Sequence, residues 1–277
     1  MLDRDPPPET PPKDAATLVV VRDAPAGGVE VFCVERQKVG FLGGAVVFPG
    51  GKLDPSDEDP AWALHANAPR APWGDEASRG LAVAACRETL EEAAILPLFG
   101  DPLPHAELLE WRARVAGRET TLLALLASAR RRLDLASLVP FARWITPAAE
   151  PRRYDTRFYL FVGSGGLTGA HDGHETTASF WSPPGEVLRR FDAGELQLVP
   201  PTHRTLEILA TASTAAAAVV LAESACLEPV CPKLVETDGT VALVLPGDPA
   251  HPVAEVRSPG KSRFVLREGR FLPEDPA

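Results

Sequence analysis

The sequence predicts an α/β (α+β) fold in which a mixed β-sheet packs against helices and a small β extension follows. Residues 16–22 and 29–35 are apolar runs separated by a glycine-containing turn, which predicts a β-hairpin. Residues 81–96 place small and apolar residues opposite charged ones at helical spacing. Residues 233–245 and 263–272 each hold two short runs around an Asp-Gly or Glu-Gly turn, which predicts two more hairpins.

The other elements follow from periodicity and from the positions of glycine and proline. A helical stretch over 105–132 is expected to break near Gly117. A helix opens at Pro183-Pro184, and a longer one runs from Thr202, as its N-cap, to about residue 222. Further strands are predicted at 45–48, 138–145, 154–163 and 175–182.

These elements divide the chain into a disordered arm (1–13), a main domain (14–222) and a β extension (223–277). Within the main domain, residues 57–80 read as an inserted loop that is rich in Pro, Asn, Asp and Gly. Its apolar side chains are expected to pack on the body of the protein: Trp62, Leu64 and Trp73. The loop either caps a substrate cleft or covers an apolar surface.

The composition is that of a soluble globular protein, with 45% hydrophobic and 24% charged residues. A net charge of −10 argues against nucleic acid as a partner, and no apolar run is long enough for a membrane partner. The four cysteines lack the spacing of a zinc site and are expected to be buried thiols: Cys33, Cys86, Cys226 and Cys231. They suit a reducing, cytoplasmic location.

The chemistry centres on Glu88, Glu91 and Glu92, which share one face of the predicted helix because they are spaced i, i+3 and i+4. Three carboxylates so close repel one another, and a hard cation such as Mg²⁺ or Mn²⁺ would relieve that repulsion. The alternative is a solvated acidic helix face. The apolar strand and the Gly50-Gly51 turn that precede the helix favour the metal site.

Together these residues resemble the Nudix box, G-x5-E-x7-R-E-U-x-E-E-x-G-U, where U is a bulky apolar residue. The chain matches it at Gly51, Arg87, Glu88, Glu91, Glu92 and Ile95, with Asp57 in place of the first Glu. The resemblance implies a Nudix fold, with the sheet sandwiched between helices.

The chain departs from the box in three ways. Between Asp57 and Arg87 lie 29 residues instead of seven, which is an insertion of 22. Thr89 replaces an apolar residue, and Ala94 replaces a late Gly that would suit a left-handed helix end. Because lengthening a surface loop costs only about 0.6 kcal/mol per doubling, we expect the two halves of the box to meet.

The resemblance implies metal-dependent hydrolysis of a nucleoside diphosphate linked to another moiety. It implies metal ligands at Glu88, Glu91, Glu92 and the carbonyl of Gly50, with Mg²⁺ or Mn²⁺ as cofactor. It implies catalytic roles for Arg87, Glu91, Glu92 and Glu175. Arg87 would brace the carboxylates, and Glu175 would assist the metal or act as base. Glu175 is otherwise a surface residue beside His171 and His174.

One subgroup is similar over more of the chain. The split box, the segments F-x-x-G-A-x-V-F-P-G-G and Y-D-T-R-F-Y, then H-D-G-H-E and W-S-P-P, resemble the peroxisomal coenzyme A diphosphatase (Nudix motif 19) group. That implies cleavage of coenzyme A or acyl-coenzyme A to 3′,5′-ADP and 4′-phosphopantetheine. Residues implied to bind substrate are Arg36, Phe48 and Gly51.

The coenzyme A signature fits only at Gly44 and over residues 48–51. Arg36 is one place out of register with its first Arg, and Gly40 stands where its second Arg would be. ADP-ribose, ADP-sugar and dinucleotide substrates therefore stay open, as does a Nudix-fold binding domain without catalysis. The expected partner is a small nucleotide-diphosphate substrate, and a homodimer is possible.

Overall fold

The computed structural model of this chain describes residues 10–38, 43–237 and 239–276. Its strands are β1 (Lys13–Asp23), β2 (Val29–Arg36), β3 (Ala45–Val47), β4 (Gly50–Lys52), β5 (Val139–Ile145), β6 (Tyr154–Val162), β7 (Thr176–Ser182), β8 (Gln197–Leu198), β9 (Lys233–Thr237), β10 (Thr240–Val244), β11 (Arg263–Arg267) and β12 (Arg270–Glu274). Its α-helices are α1 (Trp62–His65), α2 (Glu76–Ala93), α3 (His105–Ala116), α4 (Leu122–Ala129), α5 (Pro184–Asp192), α6 (Pro200–Leu209) and α7 (Ala215–Glu223). Two 3₁₀ helices cover Pro55–Glu58 and Leu135–Ser137.

β1 lies in the middle of the main sheet. The strands follow the order β5-β6-β1-β2-β3-β8, while β4 also pairs with β1 and β7 with β2. β1 runs parallel to β6 and antiparallel to β2, with Val21 opposite Val31. The sheet is therefore mixed, and the predicted hairpin of the first two strands is confirmed.

Alternate side chains of β1 enter two different hydrophobic cores. Leu18 and Val20 pack on the side covered by α2. Val19 and Val21 pack on the other side, with residues of α6 and α7. All four side chains are fully buried. Helices thus cover both faces of the sheet, which confirms the predicted sandwich.

The helix of the candidate site starts and stops earlier than expected. α2 begins after Asp75, whose carboxylate accepts a hydrogen bond from the Ser78 backbone N–H, and not at residue 81. It ends at Ala94, which adopts the left-handed conformation (φ 52°) although it carries a Cβ. The Ala94 N–H bonds back to Leu90 and Thr89, so the helix stops before Pro97.

The long helix expected from Thr202 is wrong, because the chain forms α6 and α7 instead. Thr202 lies inside α6 and is buried. α7 has its own cap, since the Thr214 hydroxyl accepts from the Ala217 N–H and Asp23 of β1 accepts from the Ala215 N–H at 2.7 Å. Thr214 and Asp23 thus satisfy the first backbone N–H groups of a second helix. The predicted break near residue 117 is confirmed by α3 and α4.

The inserted loop is attached to the body by its tryptophans. Trp62 and Trp73 are buried, at 2% and 8% exposure. Trp62 donates its ring N–H to the Ser56 carbonyl at 2.9 Å, and Trp73 meets the Tyr159 ring edge-on at 5.3 Å. Leu64 is 74% exposed, so its expected packing is wrong. A role of the loop as a cap over a substrate cleft stays a prediction.

The C-terminal extension packs on the main domain, and the first strand begins within the expected N-terminal arm. The two predicted C-terminal hairpins are confirmed and join into one sheet of order β12-β11-β10-β9. Phe264 of this sheet is buried beside His203, which also contacts Phe191. At the other end, residues 1–9 of the expected arm lie outside the described residues, whereas Lys13 already belongs to β1.

Burial separates the four cysteines into two pairs. Cys33 and Cys86 are buried as expected, and burial raises the pKa of the Cys33 thiol to about 12. Cys226 is exposed and Cys231 is half-buried, so the expectation is wrong for these two. In the described part of the chain, no helix has the length and apolar character needed to cross a membrane. The cytoplasmic location stays a prediction.

Candidate active site

Arg87 connects the carboxylates of α2 to one another. Its Nη1 donates to Glu88 Oε1 at 3.0 Å and to Glu91 Oε1 at 3.1 Å. Its Nη2 donates to the carbonyl of Lys52 at 2.9 Å. The predicted bracing role of Arg87 is what this geometry shows: one guanidinium fixes two glutamates against the strand beside them.

Asp57 completes this cluster from within the inserted loop. Arg87 donates Nε and Nη2 to the two oxygens of Asp57, both at 2.9 Å, in a fork-to-fork pair. Asp57 is 1% exposed and also accepts from the Asp54 N–H, because Asp54 caps the 3₁₀ helix Pro55–Glu58. Asp57 thus occupies the position of the first Glu of the box, and the 29 residues between the halves do not separate them.

Gly50 and Gly51, which the sequence predicts as a turn, begin strand β4 instead and bring its backbone against the same carboxylates. The Gly50 N–H donates to Glu92 Oε2 at 3.1 Å. A Cβ on Gly51 would collide with the carboxyl group of Glu88, so any side chain here would displace that carboxylate from its present position. The backbone at the start of β4 therefore lies directly against Glu88 and Glu92.

Burial makes two of the glutamates hard to ionise. It raises the pKa of Glu88 to about 7, with the charge of Arg87 opposing the shift. It raises the pKa of Glu92 to about 8, and the negative charge of Glu88 adds to the shift. Burial alone would lower the pKa of Arg87, but hydrogen bonds to Asp57 and the charges of the glutamates hold it above its ordinary value.

The carboxylates of Glu88, Glu91 and Glu92 offer oxygen ligands of the kind that a divalent cation binds. As they stand, no three His, Cys, Asp or Glu side chains among the described residues form a group that could hold a metal ion. Arg87 takes Oε1 of both Glu88 and Glu91, and Gly50 takes Oε2 of Glu92. Within residues 10–38, 43–237 and 239–276, the second oxygen of each glutamate accepts no hydrogen bond. Three carboxylate oxygens fit a hard cation in kind.

Arg36 and Glu175 lie on the other side of Glu92. Arg36 Nη1 is 3.9 Å from Glu92 Oε1, and Arg36 Nη2 is 3.9 Å from Glu175 Oε2. The Arg36 side chain is 27% exposed and that of Glu175 is 70% exposed. The structure thus brings both residues to the glutamates of α2 and leaves them open to solvent.

Phe48, named from the sequence as a substrate contact, packs on the opposite side of the sheet from α2. It is 3% exposed, so its side chain offers almost no surface for the expected contact with substrate. Gly40, the residue that interrupts the coenzyme A signature, lies outside the described residues.

Sequence reasoning missed Asp172 and Arg112, which hold the loop that carries Glu175. Asp172 accepts from the Glu175 N–H at 2.9 Å, and Arg112 donates to the carbonyls of Ala170 and His171. The Asp172-Gly173 pair just before Glu175 is a turn signal that could have indicated the first of them. Arg112 comes from α3, and no local pattern connects it to the loop.

The fold and this cluster define a class that comparison with solved structures confirms. A Nudix hydrolase from Alicyclobacillus acidocaldarius is 35% identical, with a TM-score of 0.64, over 76% of this chain and 96% of that one. The chain therefore belongs to the Nudix hydrolase family.

Within that family the match is more specific. The family model described as the NUDT19 Nudix domain matches residues 69–209, and the chain belongs to this group. The acyl-coenzyme A diphosphatase NUDT19 of Gallus gallus is 31% identical over 219 residues, which cover 62% of this chain and 58% of that protein. The Homo sapiens protein of the same name is 29% identical over 68% of this chain and 62% of its own length. The chain thus spans less than two thirds of the curated relatives it matches.

Proposed function

We propose that this chain hydrolyses the diphosphate of coenzyme A or an acyl-coenzyme A to 3′,5′-ADP and a 4′-phosphopantetheine. The observation that carries the proposal is the cluster of Glu88, Glu91 and Glu92 around Arg87, in contact with Gly50 and Gly51 at the start of β4. The choice of substrate is supported by relatives named acyl-coenzyme A diphosphatase. Their name favours coenzyme A over ADP-ribose, an ADP-sugar or a dinucleotide.

The cofactor of the proposal is Mg²⁺ or Mn²⁺, since Nudix hydrolases generally use divalent metal ions. Glu88, Glu91, Glu92 and the carbonyl of Gly50 would hold it. When bound, such an ion neutralises charge on the phosphoryl oxygens and lowers the pKa of a water. Buried carboxylates with raised pKa values, such as those of Glu88 and Glu92, gain most from a nearby cation.

The chain's own residues have separate roles in the proposal. Arg87 keeps Glu88 and Glu91 in place through its hydrogen bonds. Arg36 is partly exposed between two carboxylates, and its guanidinium would bind the diphosphate. Glu175 is exposed to solvent, and its carboxylate would accept the proton of the attacking water. A homodimer stays a prediction.

A substrate panel tests the proposal directly. The purified chain is incubated with coenzyme A, an acyl-coenzyme A, ADP-ribose, an ADP-sugar and a dinucleotide, and products are identified by mass. With Mg²⁺ or Mn²⁺ we expect 3′,5′-ADP and the phosphopantetheine, and with excess chelator we expect neither. Full turnover in chelator contradicts the metal role. Preferred cleavage of ADP-ribose contradicts the substrate, and binding without cleavage supports a non-catalytic domain.

A further inference from the structure

The loop between β6 and β7 is fixed to the body at both of its ends. At its start, the Gly163 N–H donates to the Val21 carbonyl at 2.8 Å. Further along, the Ala170 N–H donates to the carbonyl of Ala93, the last residue of α2, at 2.8 Å. A loop amide therefore satisfies a carbonyl at the C-terminal end of the helix that carries the glutamates.

Close packing adds to these hydrogen bonds. A Cβ on Gly169 would collide with the ring of Phe32 and would lie 2.9 Å from Ile95 Cδ1. The backbone here therefore packs directly on β2 and on the residues after α2. Arg112 of α3 donates Nη1 to the carbonyls of Ala170 and His171 at 2.8 and 3.0 Å. The loop is thus held by α2, α3 and the sheet together.

Asp172 organises the end of the loop. Its Oδ1 accepts from the Thr176 N–H at 2.9 Å and from the Thr176 hydroxyl at 2.6 Å, and its Oδ2 accepts from the Glu175 N–H at 2.9 Å. Gly173 supplies the left-handed conformation (φ 76°) that the turn needs. Burial acts to raise the pKa of Asp172, but hydrogen bonds from the Glu175 N–H and from Thr176 hold it below its ordinary value.

The backbone of Glu175 is therefore fixed on both sides. Its N–H is held by Asp172, and its carbonyl accepts from the Gln37 N–H at 3.1 Å. Gln37 directly follows Arg36, the residue that lies 3.9 Å from both Glu92 and Glu175. The side chain of Glu175 stays 70% exposed, so its position is set by its backbone and hardly by packing of its own.

We infer that Asp172 is a positioning residue for hydrolysis, which fixes the backbone of Glu175 so that its carboxylate faces Arg36 and Glu92, with Arg112 holding the loop in place. This inference rests on the proposed function, because Glu175 acts only if the site hydrolyses a diphosphate. Asp172 itself points its oxygens into the loop and touches no reacting atom.

The test is a double-mutant cycle on the full chain, with coenzyme A and Mg²⁺. Glu175→Gln should lower kcat by about 10²-fold, as for loss of a general base. Asp172→Asn keeps one acceptor oxygen and puts an NH2 group in place of the other, so it loses either the hydrogen bond from the Glu175 N–H or those from Thr176. It should lower kcat about tenfold with KM little changed, as for loss of a group that orients a ligand. In the Glu175→Gln background, Asp172→Asn should have no further effect on kcat.

A matched control separates positioning from general stability. Asp248 is a buried carboxylate that, like the half-buried Asp172, has several hydrogen-bond partners, since it accepts from Ala250, Ser262 and Arg263, and it lies in the C-terminal extension. Asp248→Asn should lower the free energy of unfolding and leave the kcat of the folded fraction unchanged. If Asp172→Asn does not fold, Thr176→Val takes its place in the cycle, because it keeps the Asp172 carboxylate and removes two hydrogen bonds of the Thr176 hydroxyl: the one donated to Oδ1 at 2.6 Å and the one accepted from the Asp172 N–H at 3.3 Å.

Each outcome is distinct. An equal loss of kcat from Asp172→Asn in both backgrounds overturns the inference, because the residue then does not act through Glu175. Full activity of Glu175→Gln in an active chain overturns it too, while the proposed function stands. A wild-type chain that cleaves no member of the panel overturns both. A loss confined to the background that keeps Glu175 supports the inference.

Discussion

The two sides of Glu88 differ in how charge is balanced. On the side of the inserted loop, Arg87 forms four hydrogen bonds of 2.9 to 3.1 Å with the carboxylates of Asp57, Glu88 and Glu91. On the side of β2, Arg36 stays 3.9 Å from the nearest oxygens of Glu92 and Glu175. The first side is closed by contacts within the chain, whereas on the second side the Arg36 and Glu175 side chains are 27% and 70% exposed.

Burial does not explain the difference, because it is similar on both sides. Asp57 is 1% exposed and Glu92 is 4% exposed. Asp57 receives a two-point pair from a guanidinium, whereas Glu92 receives one backbone hydrogen bond, from Gly50 at 3.1 Å. Burial raises the pKa of both acids, but the hydrogen bonds and the charge of Arg87 oppose the shift at Asp57, whereas the Gly50 N–H and the more distant charge of Arg36 oppose it at Glu92. We therefore expect the loop side to support the fold and the other side to carry the chemistry.

The largest expected effect comes from removing the partner on the closed side. Arg87→Ala leaves the carboxylates of Asp57, Glu88 and Glu91 without their shared cation. The free energy of unfolding should fall by about 3–5 kcal/mol, as for one broken half of a buried ion pair. Urea unfolding of the purified variant measures it.

The control is Arg189→Ala, which breaks the exposed pair with Glu186 on α5 and should change little. If Arg87→Ala does not fold, Arg87→Lys replaces it, because lysine keeps the charge and loses the two-point hydrogen bonding of the guanidinium. Its loss of unfolding free energy should lie between the losses of Arg87→Ala and Arg189→Ala. Equal stabilities of Arg87→Ala and wild type would mean that the cluster does not support the fold.

The next effect concerns activity and comes from the glutamates. Glu91→Gln and Glu92→Gln each keep their shape and remove a charge. If these carboxylates hold a catalytic cation, kcat should fall by about 10²-fold or more, as for loss of an electrostatic contact to the transition state. The change is measured under saturating coenzyme A and Mg²⁺, with circular dichroism to check the fold.

Glu110→Gln on the exposed face of α3 serves as the charge-matched control and should turn over normally. Unchanged rates in both Glu91→Gln and Glu92→Gln would leave only a solvated acidic face, and the open side would have no catalytic meaning.

Much of this site was predictable because its signals are local in sequence. The spacing of Glu88, Glu91 and Glu92 follows from helix geometry, and the first hairpin follows from a short pattern. The Gly50-Gly51 pair was predicted as a turn and forms the start of β4 instead. The start of α2 was not predictable. Gly80 reads as a loop residue, yet it lies inside the helix, where a Cβ would come within 3.1 Å of Glu58 Cγ. That contact depends on the fold of the inserted loop.

The same limit applies to the residues that sequence reasoning placed wrongly. Phe48 lies two residues before Gly50 in the sequence, but its side chain packs in the core opposite α2. The left-handed Ala94 pays a local steric cost that the buried packing of α2 outweighs. Arg112 meets the loop of Glu175 only through tertiary structure. What local patterns miss here are contacts between segments far apart in the chain.

The smallest expected effect is a pH dependence of stability in metal-free protein. The folded chain holds the protons of Glu88 and Glu92 up to pKa values of about 7 and 8, against an ordinary value of 4.5. Between pH 4.5 and 8 the folded state therefore binds more protons than the unfolded state does. In that case the free energy of unfolding falls as pH rises, so these two groups destabilise the fold progressively across this window.

Glu92→Gln isolates one of the two contributions, because its amide keeps an acceptor for the Gly50 N–H and carries no charge. In chelator at pH 8 its Tm should exceed that of wild type, at about 2–4 °C for each kcal/mol recovered. The two Tm values should converge as the pH falls below 4.5, because Glu92 then becomes protonated in both states. Glu110→Gln should follow wild type at every pH. Parallel Tm curves for Glu92→Gln and wild type would show that Glu92 ionises at its ordinary pKa, and that the open side of the site is already balanced without a cation.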